Sequence, residues 1–558
     1  MNYRCNPDLS LVTVFSGLVL LFLLPIGISV GVSGPLYEGI FVIHLLIQFL
    51  AVVLSIRTFL CAVKEENKFQ FIYIFIFVIF FALISFQTII PITAKDALIH
   101  HLAIPKLWIE VGKIHEIPWH EWSYYPMLIQ LGFTGLMTLD LTSLTPLYHF
   151  SYLIILCAVC ERFITTRLSS KKYGIWAFLF CLSLPLNFRL AGEPLVDLAL
   201  ALYFAIAFDF VCRSFEESFS GRDILLAGIS LGLAMGTKYN ALPGVLFFML
   251  GFLLFGSRKK VPFLPLIKSC LVLTVISIFI ALPWGIKNYS WTGNPVYPLF
   301  PESKAGTEIK ERLIAAISPL EQRHWLYKES SADIFTLPIR MVLKGEDNNP
   351  KLFDGVLTPV LLLLPFALLR VGKNPWVLWS FVFSAGYFVF SILTASARTR
   401  YMAPIALPVI SLFMLSLQGL SFNKKNKVTA WIPGIVFSLH ILFALQYSYN
   451  YLNNTDAFSY VFKEESQDSY LSSHLVEYTA IKKINQILKD KQDAKVYLLG
   501  TGNRFYLYNV PVIGGHFSEQ VAITALNNSN TVDEFKNILI NYGITDIFFH
   551  LDRVDTVL

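Results

Sequence analysis

The sequence predicts a polytopic α-helical membrane protein of about 13 transmembrane helices, followed by a small C-terminal extracytoplasmic α/β domain. Three observations carry that expectation. The 558 residues are 55% hydrophobic and only 15% charged, against roughly 25% charge in a soluble protein. Apolar runs long enough to cross a bilayer recur along most of the chain. Lys and Arg gather in short clusters between those runs, as membrane topology demands. The clusters account for the net charge of +6, so no nucleic-acid partner is indicated.

The first run, 11–32, is about 22 residues long and exceeds the apolar core of a signal peptide. No small-residue cleavage site follows it and only Arg4 precedes it, so it reads as a first span. Runs of roughly 17 to 21 apolar residues follow at 39–56, 71–91, 144–164, 194–212, 264–283, 354–370, 375–394, 402–420 and 428–447. Shorter ones lie at 174–188, 224–236 and 241–256. The basic clusters are Arg57/Lys64/Lys68, Arg162/Arg167/Lys171/Lys172, Arg213/Arg222, Arg258/Lys259/Lys260, Arg370/Lys373 and Lys424/Lys425/Lys427. Placing them all in the cytoplasm makes 224–236 and 241–256 a hairpin with Lys238 near its outer tip. It also keeps the apolar stretch 127–139 from crossing, as a re-entrant or juxtamembrane helix. The expected location is the cell inner membrane, with a cytoplasmic N-terminus and an extracytoplasmic C-terminal domain. The expected organisation is a transmembrane domain over 1–447 with outer loops 92–143 and 284–353, then the α/β domain over 448–558.

Within 448–558, residues 480–489 and 532–541 have helical periodicity, and 495–500, 510–513 and 545–549 read as strands. Alternating helices and strands suggest a small Rossmann-like layer. Gly500-Thr-Gly502 lacks the third glycine of a dinucleotide fingerprint, so no cofactor is expected there. Cys157-Ala-Val-Cys160 has metal-knuckle spacing but no second pair, and it reads as helix filling inside an apolar run. No disulfide framework is visible.

An ionisable side chain at bilayer depth is costly and needs a reason. Four places stand out. Asp96, His100, Lys106, Glu110 and Lys113 share an arc of about 140° on a helical wheel, which fits a helix on the outer surface bent by Pro105. Glu193 and Asp197 are four apart and would share a helix face, with Pro194 in the first turn. Lys238 lies between two short apolar arms in Gly232-Leu-Ala-Met-Gly236-Thr-Lys238, snorkelling to the surface or facing a shared polar cavity. Arg398 and Arg400, with Tyr401, break the positive-inside rule in a short outer loop; beside them Lys287 and Asn288 open the second long outer segment. For each, the plainer reading is a surface helix, a helix N-terminus or a headgroup contact. Together they place acids and fixed cations on one membrane face. Acids deprotonate nucleophiles, and arginines grip phosphate, so a lipid-phosphate substrate explains both the membrane and the charge.

The order of these residues resembles the GT-C glycosyltransferases, of the protein O-mannosyltransferase-like and aminoarabinose-transferase-like kind. The resemblance rests on Asp96 opening an outer helix, the Glu193/Asp197 loop, the Gly-Thr237-Lys238 hairpin, Pro283-Trp284…Lys287-Asn288…Gly293-Asn294-Pro295, and Arg400-Tyr401…Pro404. It covers about residues 70–420. It implies a membrane-bound hexosyl or pentosyl transferase, inverting, that moves a sugar from a polyprenyl-phosphate donor to a hydroxyl on the outer face. The acceptor would be a glycan, a lipid or a protein. By position Asp96 would be the general base, and Glu193 or Asp197 would orient acceptor or sugar. Lys238, Lys287, Arg398 and Arg400 would hold the departing phosphate, with Asn288 and Tyr401 beside them and His100 and His101 binding substrate. Many relatives carry Asp-Glu at the first site, whereas Ala97 follows Asp96 here. Some use a divalent metal and others do not; Asp96 and His100 would supply two ligands.

Two other classes fit a chain of this kind. An O-antigen ligase or polymerase also acts on lipid-linked glycans but depends chiefly on basic residues in a late loop. A lipid-linked glycan transporter or flippase would show inverted repeats and midplane charges; no internal repeat is visible, and the suspicious charges favour one face.

Overall fold

In a computed structural model of the chain, residues 8–216, 219–300, 319–370, 374–394, 397–420, 430–463, 465–514 and 516–550 are described. The chain is a multi-pass membrane protein. Among the described residues nine helices are long and apolar enough to cross a bilayer: Leu9–Ser29, Pro35–Glu66, Gln70–Gln87, Thr142–Leu168, Ala241–Arg258, Phe263–Thr292, Pro375–Thr394, Thr399–Leu420 and Ile432–Asn454. Lys171–Ser183 and Pro185–Ala191, bent by 57° at Leu184, form a tenth if counted as one. Pro185 opens the second arm, and the residue before a proline is pushed out of helical geometry.

Each expected run forms a helix, yet three fall short of a plain span. Asp197–Ser214 carries Asp197, Asp209 and Arg213. Gly221–Thr237 is 17 residues long. Pro359–Arg370 is a 3₁₀ helix of 12 residues interrupted by Pro365, about 24 Å against a hydrocarbon core of about 30 Å. Leu128–Thr138, expected not to cross, has 11 residues and reaches only about 16 Å. Lys373, Lys424, Lys425 and Lys427 lie outside the described residues.

Helix ends follow local chemistry. Asp8 caps Leu9–Leu21 by accepting from the Ser10 amide at 3.1 Å, and Ser220 caps Gly221–Thr237 through the Asp223 amide. Lipid offers no hydrophobic drive to bring helices together, so close backbone approach does that work. Gly228, Gly232 and Gly236 form a small-residue row on Gly221–Thr237, packed on Phe263–Thr292. A Cβ on Gly232 would meet Ile280 Cβ at 2.5 Å and the Ser277 carbonyl at 2.7 Å. The same helix ends at Lys238, so this seam sets the depth of that lysine.

The C-terminal strands β1 (Val496–Leu499), β2 (Val512–Ile513) and β3 (Asp546–Phe549) form a parallel sheet in the order β2-β1-β3. Helices Tyr478–Ile487 and Val532–Asn541 match expectation; helix His516–Asn527 was not anticipated. The layer packs on the segment that follows Asp96. Lys106 Nζ donates to the carbonyls of Tyr506 at 3.0 Å and Tyr508 at 2.5 Å and to Asn509 Oδ1 at 3.3 Å. Ala103 joins the core of Ile481, Val496 and Phe505, while Leu98 joins Leu471 and Leu475.

Gly232→Leu drives a branched side chain into backbone and is expected to lower the thermal midpoint in detergent, overpacking costing about 1–3 kcal/mol or more. Gly221→Ala, with open space around it, is expected to leave the midpoint unchanged.

Candidate active site

Asp96 opens a π-helical turn, Ala97–His101, closed by the Leu102 amide bonding to the Ala97 carbonyl at 2.9 Å. An α-helix, Ala103–Val111, follows. This corrects the single surface helix expected from the wheel. The wider turn rotates the register between His100 and Lys106, Pro105 sits in a first turn where its missing N–H costs little, and the C-terminal layer covers the segment. His101 is buried and pairs with Gln130 Nε2 at 2.7 Å. His100 stacks on Trp122 with centroids 5.0 Å apart, and its Nδ1 is buried without a partner. Burial pushes the His101 imidazole down to about 3, so it is neutral at physiological pH.

Glu193 and Asp197 do not share a helix face. Residues 192–196 are non-helical and the helix begins at Asp197. His149 holds this turn, bonded through Nδ1 to the carbonyls of Leu190 and Glu193 and approached by the Leu198 amide at Nε2. Asp197 is 1% exposed and accepts from Lys238 Nζ at 2.9 Å; its second oxygen is buried and unpaired. Asp197 and Asp209 lie twelve residues apart on one helix, about 18 Å by helical rise. Asp209 and Asp8 bind Arg162 and Arg213 at the opposite end of the bundle.

The short loop before Thr399–Leu420 brings the two arginines in. Arg400 is 7% exposed and donates to Asp96 Oδ2 at 2.5 Å. Its Nε lies 3.8 Å from Asp354 Oδ2, which Arg398 approaches at 3.4 Å. Asp354 also takes Arg189 at 3.1 Å and the Asn348 amide at 3.1 Å. Arg189 in turn reaches Asp347 at 3.0 Å, and Tyr447 donates to Asp347 at 2.6 Å. The ring of Tyr401 lies within 5.2–5.8 Å of Lys238, Arg400 and Arg398. Burial pushes the Asp96 carboxyl up, but the Arg400 guanidinium outweighs it and holds Asp96 well below the usual carboxylate range. Glu193 differs: burial lifts its carboxyl to about 6 against the pull of Arg189 and Arg400.

Lys287 and Asn288 are placed elsewhere. Lys287 is buried, donates to the Ser123 carbonyl at 2.8 Å and lies 4.7 Å from the Trp291 ring. Asn288 donates to Tyr239 Oη and to the Tyr297 carbonyl, both at 3.0 Å. Lys287 thereby ties the two outer segments together, and Asn288 joins the Tyr239 turn to its own segment. Among the described residues no three His, Cys, Asp or Glu side chains converge as a metal site. Asp96 has Arg400 as its counter-ion, and the pair Asp96 and His100 alone falls short of a metal site.

Sequence reasoning missed Asp354, Asp347, Trp122 and Tyr447, and did not assign Arg189 a role. Asp354-Gly355 is a turn dipeptide, and the backbone there is unusual: φ is 71° at Phe353, 42° at Asp354 and 156° at Gly355. Strain of this kind collects at functional sites. A Cβ on Gly355 would meet Thr399 Oγ1 at 2.0 Å, so glycine is what lets Asp354 reach the arginines.

A cavity of about 440 Å³ opens beside this cluster. Its wall is apolar, built from side chains such as Leu190, Leu198, Leu361, Phe388 and Ile410, apart from Asn187, Asp197, Ser384, Thr399 and Arg400.

No family model matches the chain, and no curated protein matches it. Among solved structures, the chain is similar to an archaeal oligosaccharyltransferase. The solved structure is AglB from Archaeoglobus fulgidus, in complex with an inhibitory peptide and a dolichol-phosphate; the TM-score is 0.45 and the identity 12%, over 87% of this chain and 70% of that one.

Two outcomes follow. Asp354→Ala leaves Arg189, Arg398 and Arg400 without their shared anion and is expected to cost on the order of 3–5 kcal/mol, read as a lower thermal midpoint. For Glu193, a carboxyl raised to about 6 in the fold from an ordinary 4.5 binds its proton more tightly when folded. Its stabilisation is complete below the unfolded value and is lost as pH rises through 6. Glu193→Gln is therefore expected to melt with wild type near pH 5 and above it at pH 7.5; a constant gap would refute the assignment.

Proposed function

We propose that the protein is an inverting glycosyltransferase that moves a sugar from a polyprenyl-phosphate donor to an acceptor hydroxyl at the extracytoplasmic face of the inner membrane. The observation that carries this reading is the cavity whose apolar wall ends at Arg400 and Asp197. An isoprenoid tail suits the wall, and its phosphate would lie against Arg400 and Lys238. Arg398 is engaged by Asp354 and acts by fixing that anion.

In the reaction the acceptor oxygen attacks the anomeric carbon opposite the phosphate. The new C–O bond forms as the bond to the phosphate oxygen breaks, leaving its electron pair on the phosphate. The hydroxyl proton passes to Asp96. Arg400 and Lys238 neutralise the charge that develops on the leaving group. Asp197 holds Lys238 in place. The membrane unit of this enzyme spans 1–447, with 448–558 as a covering α/β domain that clamps the Asp96 segment through Lys106.

Asp96→Asn is expected to reduce transfer by about 10²–10⁴-fold, the usual weight of a positioned base, while the protein still elutes as a folded species. Glycans and glycolipids of a deletion strain, compared by mass spectrometry before and after complementation, identify the modification. Full restoration by the Asn variant would refute Asp96 as the base.

A further inference from the structure

The base and the phosphate-binding cation of the proposed reaction are bonded to each other: Arg400 Nη2 lies 2.5 Å from Asp96 Oδ2. While that pair holds, neither group is free for its task. Arg400 also lines the apolar cavity, whereas Asp96 does not. An anion arriving along the cavity therefore meets the guanidinium first.

We propose that the Asp96–Arg400 ion pair is a lock opened by the donor: a lipid phosphate entering from the cavity takes the guanidinium and frees Asp96 to act as the base. The proposal rests on the transferase reading above. Three features make the exchange workable. A guanidinium carries five donors in a planar fork that fits phosphate, and the edge bound to Asp96 is Nη2, whereas the buried Nε faces Asp354. Asp354, 3.8 Å from that Nε, keeps hold of one edge while the other changes partner; it is itself fixed by Arg189, Arg398 and the Asn348 amide. Third, the groups facing Asp96 leave it no substitute for Arg400. His100 and His101 flank it on its own segment, and the other cation of the cluster, Lys238, is held by Asp197.

Losing Arg400 exposes Asp96 to burial without a compensating charge, which strengthens it as a base. At neutral pH the freed carboxylate stays ionised and awaits the acceptor hydroxyl; at lower pH it takes a proton from water. Binding and protonation are thus linked, and the same linkage makes the phosphate bind more tightly when Asp96 cannot pair.

The test is calorimetry on the full chain in detergent. The probe is farnesyl methyl phosphate, a prenyl phosphodiester with no proton of its own to exchange near neutrality. Titrations in two buffers of different ionisation enthalpy, at pH 5.5 and pH 8, count protons taken up. Wild type is expected to take up protons at pH 5.5 and nearly none at pH 8, and to bind more tightly at the lower pH. Asp96→Asn is expected to lose the uptake and bind the probe several-fold more tightly. Equal uptake in wild type and Asp96→Asn would overturn the lock and leave the transferase reading standing. If wild type does not bind the probe, both fall. Should Asp96→Asn fail to fold, the wild-type pH dependence decides: affinity that is flat or rises with pH refutes the lock.

Discussion

Buried charge is the constraint around which this structure is arranged. Arg189, Arg398 and Arg400 converge on one carboxylate, Asp354, and Lys238 is set against Asp197. An ion taken out of water loses hydration worth several kcal/mol, and only close pairing with further hydrogen bonds offsets it. The strained turn at Phe353–Gly355, the broken helix before Asp197 and the 3₁₀ entry at Thr399–Ile405 all exist where charges are brought within contact. Each gives up regular helix, and the pairing compensates for the backbone bonds lost.

The packing of the bundle serves the same end. The Gly228–Gly236 row draws two helices close and sets the position of Lys238, while Lys287 pins one outer segment to another. On the Asp96 side the segment joining β1 to β2 presents two backbone carbonyls to Lys106. That grip lies ten residues beyond Asp96, on the helix that continues its π turn. A carboxylate on an outer segment would otherwise share the mobility of the loop that bears it.

The spans were legible because bilayer thickness imposes a length on apolar runs, and the apolar runs predicted from the sequence all appear as helices. The strands around Val496, Val512 and Asp546 were legible for a similar reason, since short apolar runs bounded by turn residues have few alternatives. Charges in unexpected places drew attention to Asp96, Asp197, Lys238 and Arg400, which the structure brings to one end of the bundle. What the sequence did not reveal was pairing. Lys287 has the same signature as Lys238, a cation at the edge of an apolar run, yet one is consumed by loop carbonyls and the other faces the cluster. Asp354 lay in a run that read as the start of a span, and only its three arginine neighbours, up to 165 positions away, give it a role. A helical wheel assumes 3.6 residues per turn, so a π turn at Ala97–His101 defeats it at the point that matters most.

The placement of these charges relative to the cavity bears on direction. The apolar wall meets Arg400 and Asp197, whereas Asp96 lies on the far side of Arg400, among His100, His101 and Trp122. In the proposed reaction a substrate tail would lie against that apolar wall, with its phosphate at Arg400. A carrier with alternating access would need instead a site that opens in turn to both membrane faces. Here the acids and cations are gathered at one end of the bundle, and the ion pairs at the other end, around Asp8 and Arg162, stand about 18 Å of helix away.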